Sequence, residues 1–93
     1  MKRTVRPAAF VFIQEGCPAC HDFMPKLQSA AQGFPHALGV YDVSRGGRET
    51  AFGDSMRVRA TPTTIVMDSR GRFHRAEGTM GVGQIRALLG RAR

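Results

Sequence analysis

Short apolar runs alternate along this chain with breaks marked by glycine, proline or polar residues. Ala8-Ala9-Phe10-Val11-Phe12-Ile13-Gln14 is nearly continuous in apolar character, as in a buried strand, and Glu15-Gly16 turn the backbone out of it. A helix follows from about Pro18 to Gln32, and Gly33-Phe34-Pro35 break it. Ala37 to Val43 reads as a second strand and Ser44-Arg45-Gly46-Gly47 as a turn. Arg48 to Met56 is then a short helical stretch with Ala51, Phe52 and Met56 towards one side. Val58-Arg59-Ala60-Thr61-Pro62-Thr63 leads into Thr64-Ile65-Val66-Met67, a strand rich in β-branched residues. Asp68-Ser69-Arg70-Gly71 is a hairpin turn into Arg72 to Glu77, where apolar Phe73 alternates with polar neighbours and Gly78 ends the strand. From Gly81 to Arg91, Val82, Ile85, Leu88 and Leu89 recur at spacings of three and four, the mark of an amphipathic helix.

The resulting order, β-α-β-α-β-β-α, belongs to the α/β class. Two strands joined through a helix run parallel, and two joined by a tight turn run antiparallel.

Bulk composition narrows this picture. A chain of 93 residues makes one domain, residues 1–93, near the lower limit for a self-sufficient core. With 42% apolar and only 23% charged residues it folds as a compact module. The basic start, Met1-Lys2-Arg3-Thr4-Val5-Arg6-Pro7, raises the question of an export signal, but the apolar run behind it is shorter than the roughly 7 to 15 residues of a signal core. No segment approaches the roughly 18 to 20 apolar residues of a membrane span. A cytoplasmic location, with no membrane contact, is the expectation.

The net charge is +7, and 12 of the 14 basic residues are arginine. These arginines are scattered without the interleaved aromatics of a nucleic-acid footprint, so nucleic-acid binding is not expected as the main role. An acidic protein partner or a small anion remains compatible with the charge.

Candidate chemistry is concentrated in Cys17-Pro18-Ala19-Cys20, which contains both cysteines of the chain. Two thiols three apart at a helix start can close and open a small disulfide without unfolding anything. The unpaired N–H groups and dipole of that helix end favour the thiolate of Cys17. In a reducing compartment such a pair is more often catalytic or metal-binding than a structural staple. His21 stands in the first turn, where it is either a tuning cation or a solvated residue. Taken alone, Pro25 is as compatible with an ordinary helix end as with a kink inside the helix, and Pro62 is compatible with a trans proline opening a strand.

The element order, with C-P-A-C between the first strand and first helix and Thr61-Pro62 before the third strand, resembles the thioredoxin/glutaredoxin superfamily in its short, minimal form. Cys17 and Cys20 match the redox pair, Pro25 the proline within the active-site helix, Thr61-Pro62 a cis-proline loop facing the pair, and Gly78 a glycine near the end of the last strand. The resemblance implies the minimal thioredoxin fold, a four-stranded mixed sheet with helices on both faces, and a thiol–disulfide oxidoreductase that reduces protein disulfides, with disulfide oxidation or isomerisation as the alternative and no cofactor beyond its own disulfide. Cys17 attacks a substrate disulfide, Cys20 resolves the mixed disulfide, and the Thr61 backbone pairs with an extended substrate segment beside Pro62. Implied partners are disulfide-containing proteins and a recharging reductase or glutathione.

Departures matter too. Members of the thioredoxin branch carry a buried Asp where this chain has Val11, for which Glu15 is a conceivable substitute. Pro18 and Ala19 fill the pair differently from thioredoxins. Arg57 and Arg59, just before the Thr61-Pro62 loop, stand where a glutathione carboxylate or an acidic reductase surface would meet them.

Three other readings stay open on the residues alone. Cys17-Pro18-Ala19-Cys20-His21 is literally the haem c attachment signature, with Met24, Met56, Met67 or Met80 as axial partner. A metal site would need Cys17, Cys20 and two of His21, His36 and His74. A non-catalytic docking module of the same fold is the third.

Overall fold

The computed structural model describes residues 4–93, and Met1, Lys2 and Arg3 lie outside the described residues. Among the described residues the elements follow the expected order: β1 (Ala8–Ile13), α1 (Pro18–Ala30), β2 (Ala37–Asp42), α2 (Gly47–Ser55), β3 (Thr63–Met67), β4 (Phe73–Glu77) and α3 (Val82–Leu89). The four strands form one mixed sheet in the order β2-β1-β3-β4. β1 runs parallel to β2, with Val11 opposite Val40, and antiparallel to β3, with Val11 opposite Thr64. β3 and β4 form the antiparallel hairpin.

Because successive side chains alternate across a strand, β1 sends Ala9 and Val11 to one face and Phe10 and Phe12 to the other. Both faces are covered, which is why the run is apolar throughout. On the first face α1 and α3 bury Phe23, Leu27, Ile85 and Leu89 against Ala9, Val11 and Val66. On the second, α2 brings Phe52 against Phe10, Phe12 and Tyr41, with the Tyr41 and Phe52 rings edge-to-face at 4.9 Å. Phe12 and Phe23 are wholly inaccessible, each contributing about 1.5 to 3 kcal/mol by burial alone. Gly53 lets α2 approach this closely, since a Cβ there would come within 2.6 Å of Val43.

One patterning expectation is corrected. Ala51 is exposed, whereas Phe52 and Gly53 of α2 and Met56 just after it turn inward instead. Phe73 is 54% exposed. The register pairs His74 with Val66 and Ala76 with Thr64, so those two residues share the α1/α3 face. Phe73 thereby falls on the α2 face at the sheet edge, while α2 packs over β1 and β2.

The far end of the hairpin is tied by one carboxylate. Asp68 accepts the N–H groups of Arg70 and Arg72 at 2.9 and 3.0 Å and the Nε2 of His74 at 2.9 Å. The His74 hydrogen bond, followed by that of the Arg72 N–H, lowers the Asp68 pKa from 3.8 to about 2.

Candidate active site

Gly16, with φ +71°, supplies the left-handed turn between β1 and α1. Cys17 follows in extended conformation as the N-cap of α1, and Pro18 opens the helix, where its missing N–H leaves no gap. The Cys17 sulfur takes the place a capping oxygen would hold: the Cys20 N–H donates to Sγ at 3.1 Å. The Cys17 carbonyl accepts the His21 N–H at 3.1 Å, beginning the helical ladder.

Cys17 and Cys20 are joined in a disulfide, their Cα atoms 5.2 Å apart. Their environments differ. Cys20 is buried, 4% exposed, with Phe23 and Leu27 on the inner face of α1, whereas Cys17 is half-buried and faces outward. Only one sulfur of the pair is presented to an incoming reactant.

The β3 approach meets that sulfur. The Thr61–Pro62 peptide is cis, and Pro62 is buried. The Thr61 carbonyl oxygen lies 3.6 Å from Cys17 Sγ, and the Thr61 hydroxyl donates to the same sulfur at 3.4 Å. The loop is pinned from both sides. The Thr63 hydroxyl donates to the Ala60 carbonyl at 2.6 Å, and the Gly78 N–H donates to the Pro62 carbonyl at 2.7 Å. Gly78 makes that bond at φ +87°, a conformation costly for any residue with a Cβ. Beside the disulfide, Ile13, Gly16, Cys17, Cys20, His21 and Met24 line an open, mainly apolar hollow of about 520 Å³.

A family model for the thioredoxin-like domain matches residues 1–93. The chain belongs to this family. Thioredoxin from Fasciola hepatica is 22% identical with a TM-score of 0.75, covering 95% of this chain and 82% of its own. Thioredoxin 1 from Thermosipho africanus TCF52B is 21% identical with a TM-score of 0.73, covering 90% and 91%. The dsbF protein of MTB, solved in mixed oxidized and reduced forms, is 16% identical with a TM-score of 0.71, covering 91% and 79%. No curated protein matches the sequence. The architecture is thus the minimal thioredoxin fold, reached with little sequence in common.

Within this thioredoxin-like frame the remaining expected residues can be placed. Pro25 lies inside α1 and does not end it; lacking an N–H, it leaves the His21 carbonyl without the usual helical donor. His21 and Pro18 are exposed and Ala19 half-buried in the first turn. Val11 is fully buried beneath α1, and Glu15 is exposed in the turn, its N–H donating to Ser44 Oγ. The histidines wanted by a metal site are engaged elsewhere, His74 on Asp68 and His36 edge-on to Phe34. No group of three or more metal-ligating side chains converges among the described residues. No described helix is long and apolar enough to cross a membrane.

Two features were not foreseen. Arg75 on β4 donates to the carbonyls of Met56 and Arg57, at 2.8 and 3.2 Å, and so braces the segment that leads to Thr61. Arg57 is held there at φ +57°, rare for a residue other than glycine. The left-handed residue ends α2 locally, with the Val58 N–H donating to the Gly53 carbonyl at 2.9 Å, whereas the Arg75 contacts depend on the β3–β4 register, of which sequence spacing gives no hint.

Proposed function

We propose that the protein is a protein disulfide reductase in which Cys17 is the attacking thiol and Cys20 the resolving thiol. The observation that carries this is the unequal setting of the two sulfurs: Cys17 half-exposed at a helix N-terminus with the Cys20 N–H aimed at it, Cys20 buried one turn behind. In the reduced protein, the N–H donor, the Thr61 hydroxyl and the helix dipole all favour negative charge on Cys17. The Cys17 thiolate forms a bond to one sulfur of the substrate disulfide, and the substrate S–S bond breaks. The departing substrate thiolate takes a proton from solvent. Cys20, deprotonated in turn, attacks Cys17 and expels the second substrate thiolate, so the substrate gains two electrons and Cys17–Cys20 becomes the disulfide.

The free backbone edge beside Cys17 is suited to an extended substrate segment. The Thr61 carbonyl points at Cys17 Sγ, and Pro62 contributes no N–H or charge next to the reacting sulfurs. Pro18, Ala19, His21 and Pro25 act as supporting positions that shape the first turns of α1.

A reducing direction fits a compartment that keeps dithiols reduced, such as the cytoplasm. Glutathione or a dedicated reductase returns electrons to the pair. Equilibration of Cys17–Cys20 with glutathione buffers tests the direction, with a Cys20→Ser variant to accumulate mixed disulfides. A potential near or below about −230 mV supports the reductant, and one near −120 mV makes the protein an oxidant or isomerase.

A further inference from the structure

Next to the Thr61 loop, Arg57, Arg59, Arg75 and Glu77 line a second hollow. Arg59 also lines a smaller hollow with Gln14, Ala60 and Thr61, so one continuous surface runs from the arginines to the backbone that touches Cys17. Three guanidinium groups face one carboxylate there. Glu77 stands 4.0 Å from both Arg59 and Arg75, at the limit of ion pairing, and the Arg59 side chain is 84% exposed. Arg57 makes no ion pair among the described residues. The surface thus keeps an excess of positive charge.

This surface is also pre-arranged. Arg75 has its guanidinium fixed on the carbonyls of Met56 and Arg57, which holds the left-handed turn at Arg57 in place. A fixed backbone spends less entropy when a partner docks on it.

We propose that this arginine wall selects the substrate: protein disulfides whose reacting cysteine is followed or preceded, two to four residues away, by Asp or Glu. The proposal rests on the exchange reading above. Arg59 precedes Thr61 by two positions, at most about 7 Å of chain, and lines the same hollow, so a peptide strand laid against Thr61 carries residues near its cysteine over the wall. An acidic polypeptide fits better than nucleic acid, since no aromatic side chain lines the hollow to stack a base.

The test compares reduction of two otherwise identical disulfide-bonded peptides, one with Asp and Glu and one with Lys two to four residues from the cysteine. Bis(2-hydroxyethyl) disulfide, small and uncharged, normalises each rate for the state of the redox pair. The full chain is compared with an Arg57→Asn, Arg59→Gln variant; Asn tolerates the left-handed backbone at position 57. The wild type is expected to prefer the acidic peptide about tenfold in kcat/KM at low salt, with the preference falling to about twofold in the variant and in 0.5 M salt.

Equal rates for the two peptides in the wild type overturn the proposal. So does a faster, arginine-dependent reduction of oxidised glutathione than of the acidic peptide, which would make the wall a small-anion site. Tighter binding of a mixed-sequence oligonucleotide than of the acidic peptide also overturns it. Failure to reduce even the uncharged disulfide would instead sink the exchange reading itself.

Discussion

The two ends of the β3–β4 hairpin are built from the same kinds of residue and use them in opposite ways. At the turn, the Asp68 carboxylate gathers two backbone N–H groups and His74, so its polar capacity is consumed in holding the chain. At the other end the ties are made by backbone, Gly78 to Pro62, with the Arg75 guanidinium on two carbonyls. The carbonyl and hydroxyl of Thr61 are left to face Cys17. A stable turn satisfies its polar groups internally, whereas a reactive edge keeps some turned towards a partner.

The sharpest break of this contrast is at the sulfur itself. Cys17→Ser should reduce disulfide exchange to the uncatalysed background while leaving the fold and melting temperature close to those of the reduced wild type, because the hydroxyl remains a good N-cap. Exchange persisting in this variant would remove Cys17 from the role of attacking thiol. Gly78→Ala comes next: the forced positive φ should cost about 1 to 2 kcal/mol and slow exchange, as the Pro62 carbonyl loses its fixed donor. Denaturant unfolding and peptide-reduction rates read both effects, and a variant as stable as wild type would show that this end is not held by Gly78.

The turn end responds to pH instead. The Asp68 pKa is depressed to about 2 in the folded chain from an ordinary 3.8, so its contribution to stability is complete above about pH 4 and is lost as pH falls towards 2. Urea midpoints for wild type and Asp68→Ala should differ at pH 6 and converge between pH 4 and 2. A constant gap would mean that the ionised carboxylate is not what holds the turn.

The contrast between the two ends also explains what the sequence could and could not disclose. Element order was legible because apolar runs such as Ala8 to Ile13 and spacings such as Val82, Ile85 and Leu89 report burial directly. The nearness of Thr61-Pro62 to Cys17 was legible only through the family resemblance, because no local spacing joins positions 44 apart. The exposure of Phe73 was not legible because alternation sets the period of a strand but not which face will be covered, and only the pairing of Met67 with Phe73 decides that. Arg75 was invisible for a related reason: its partners, Met56 and Arg57, precede it by 19 and 18 positions and meet it only through the sheet.

The smallest expected effect has the opposite sign to the rest. Thr64, one residue beyond Thr63, is fully buried opposite Val11, and its hydroxyl has no hydrogen-bond partner among the described residues. The neighbouring Thr63 hydroxyl, by contrast, donates to Ala60. An orphaned buried hydroxyl carries its desolvation penalty without return, and valine has the same shape with a methyl in its place. Thr64→Val should therefore stabilise the oxidised protein by about 1 kcal/mol, raising its melting temperature by about 4 °C or more. A loss of stability would mean that the hydroxyl is in fact satisfied in solution. In that case the site end of the hairpin would resemble the turn end more closely than the present geometry indicates.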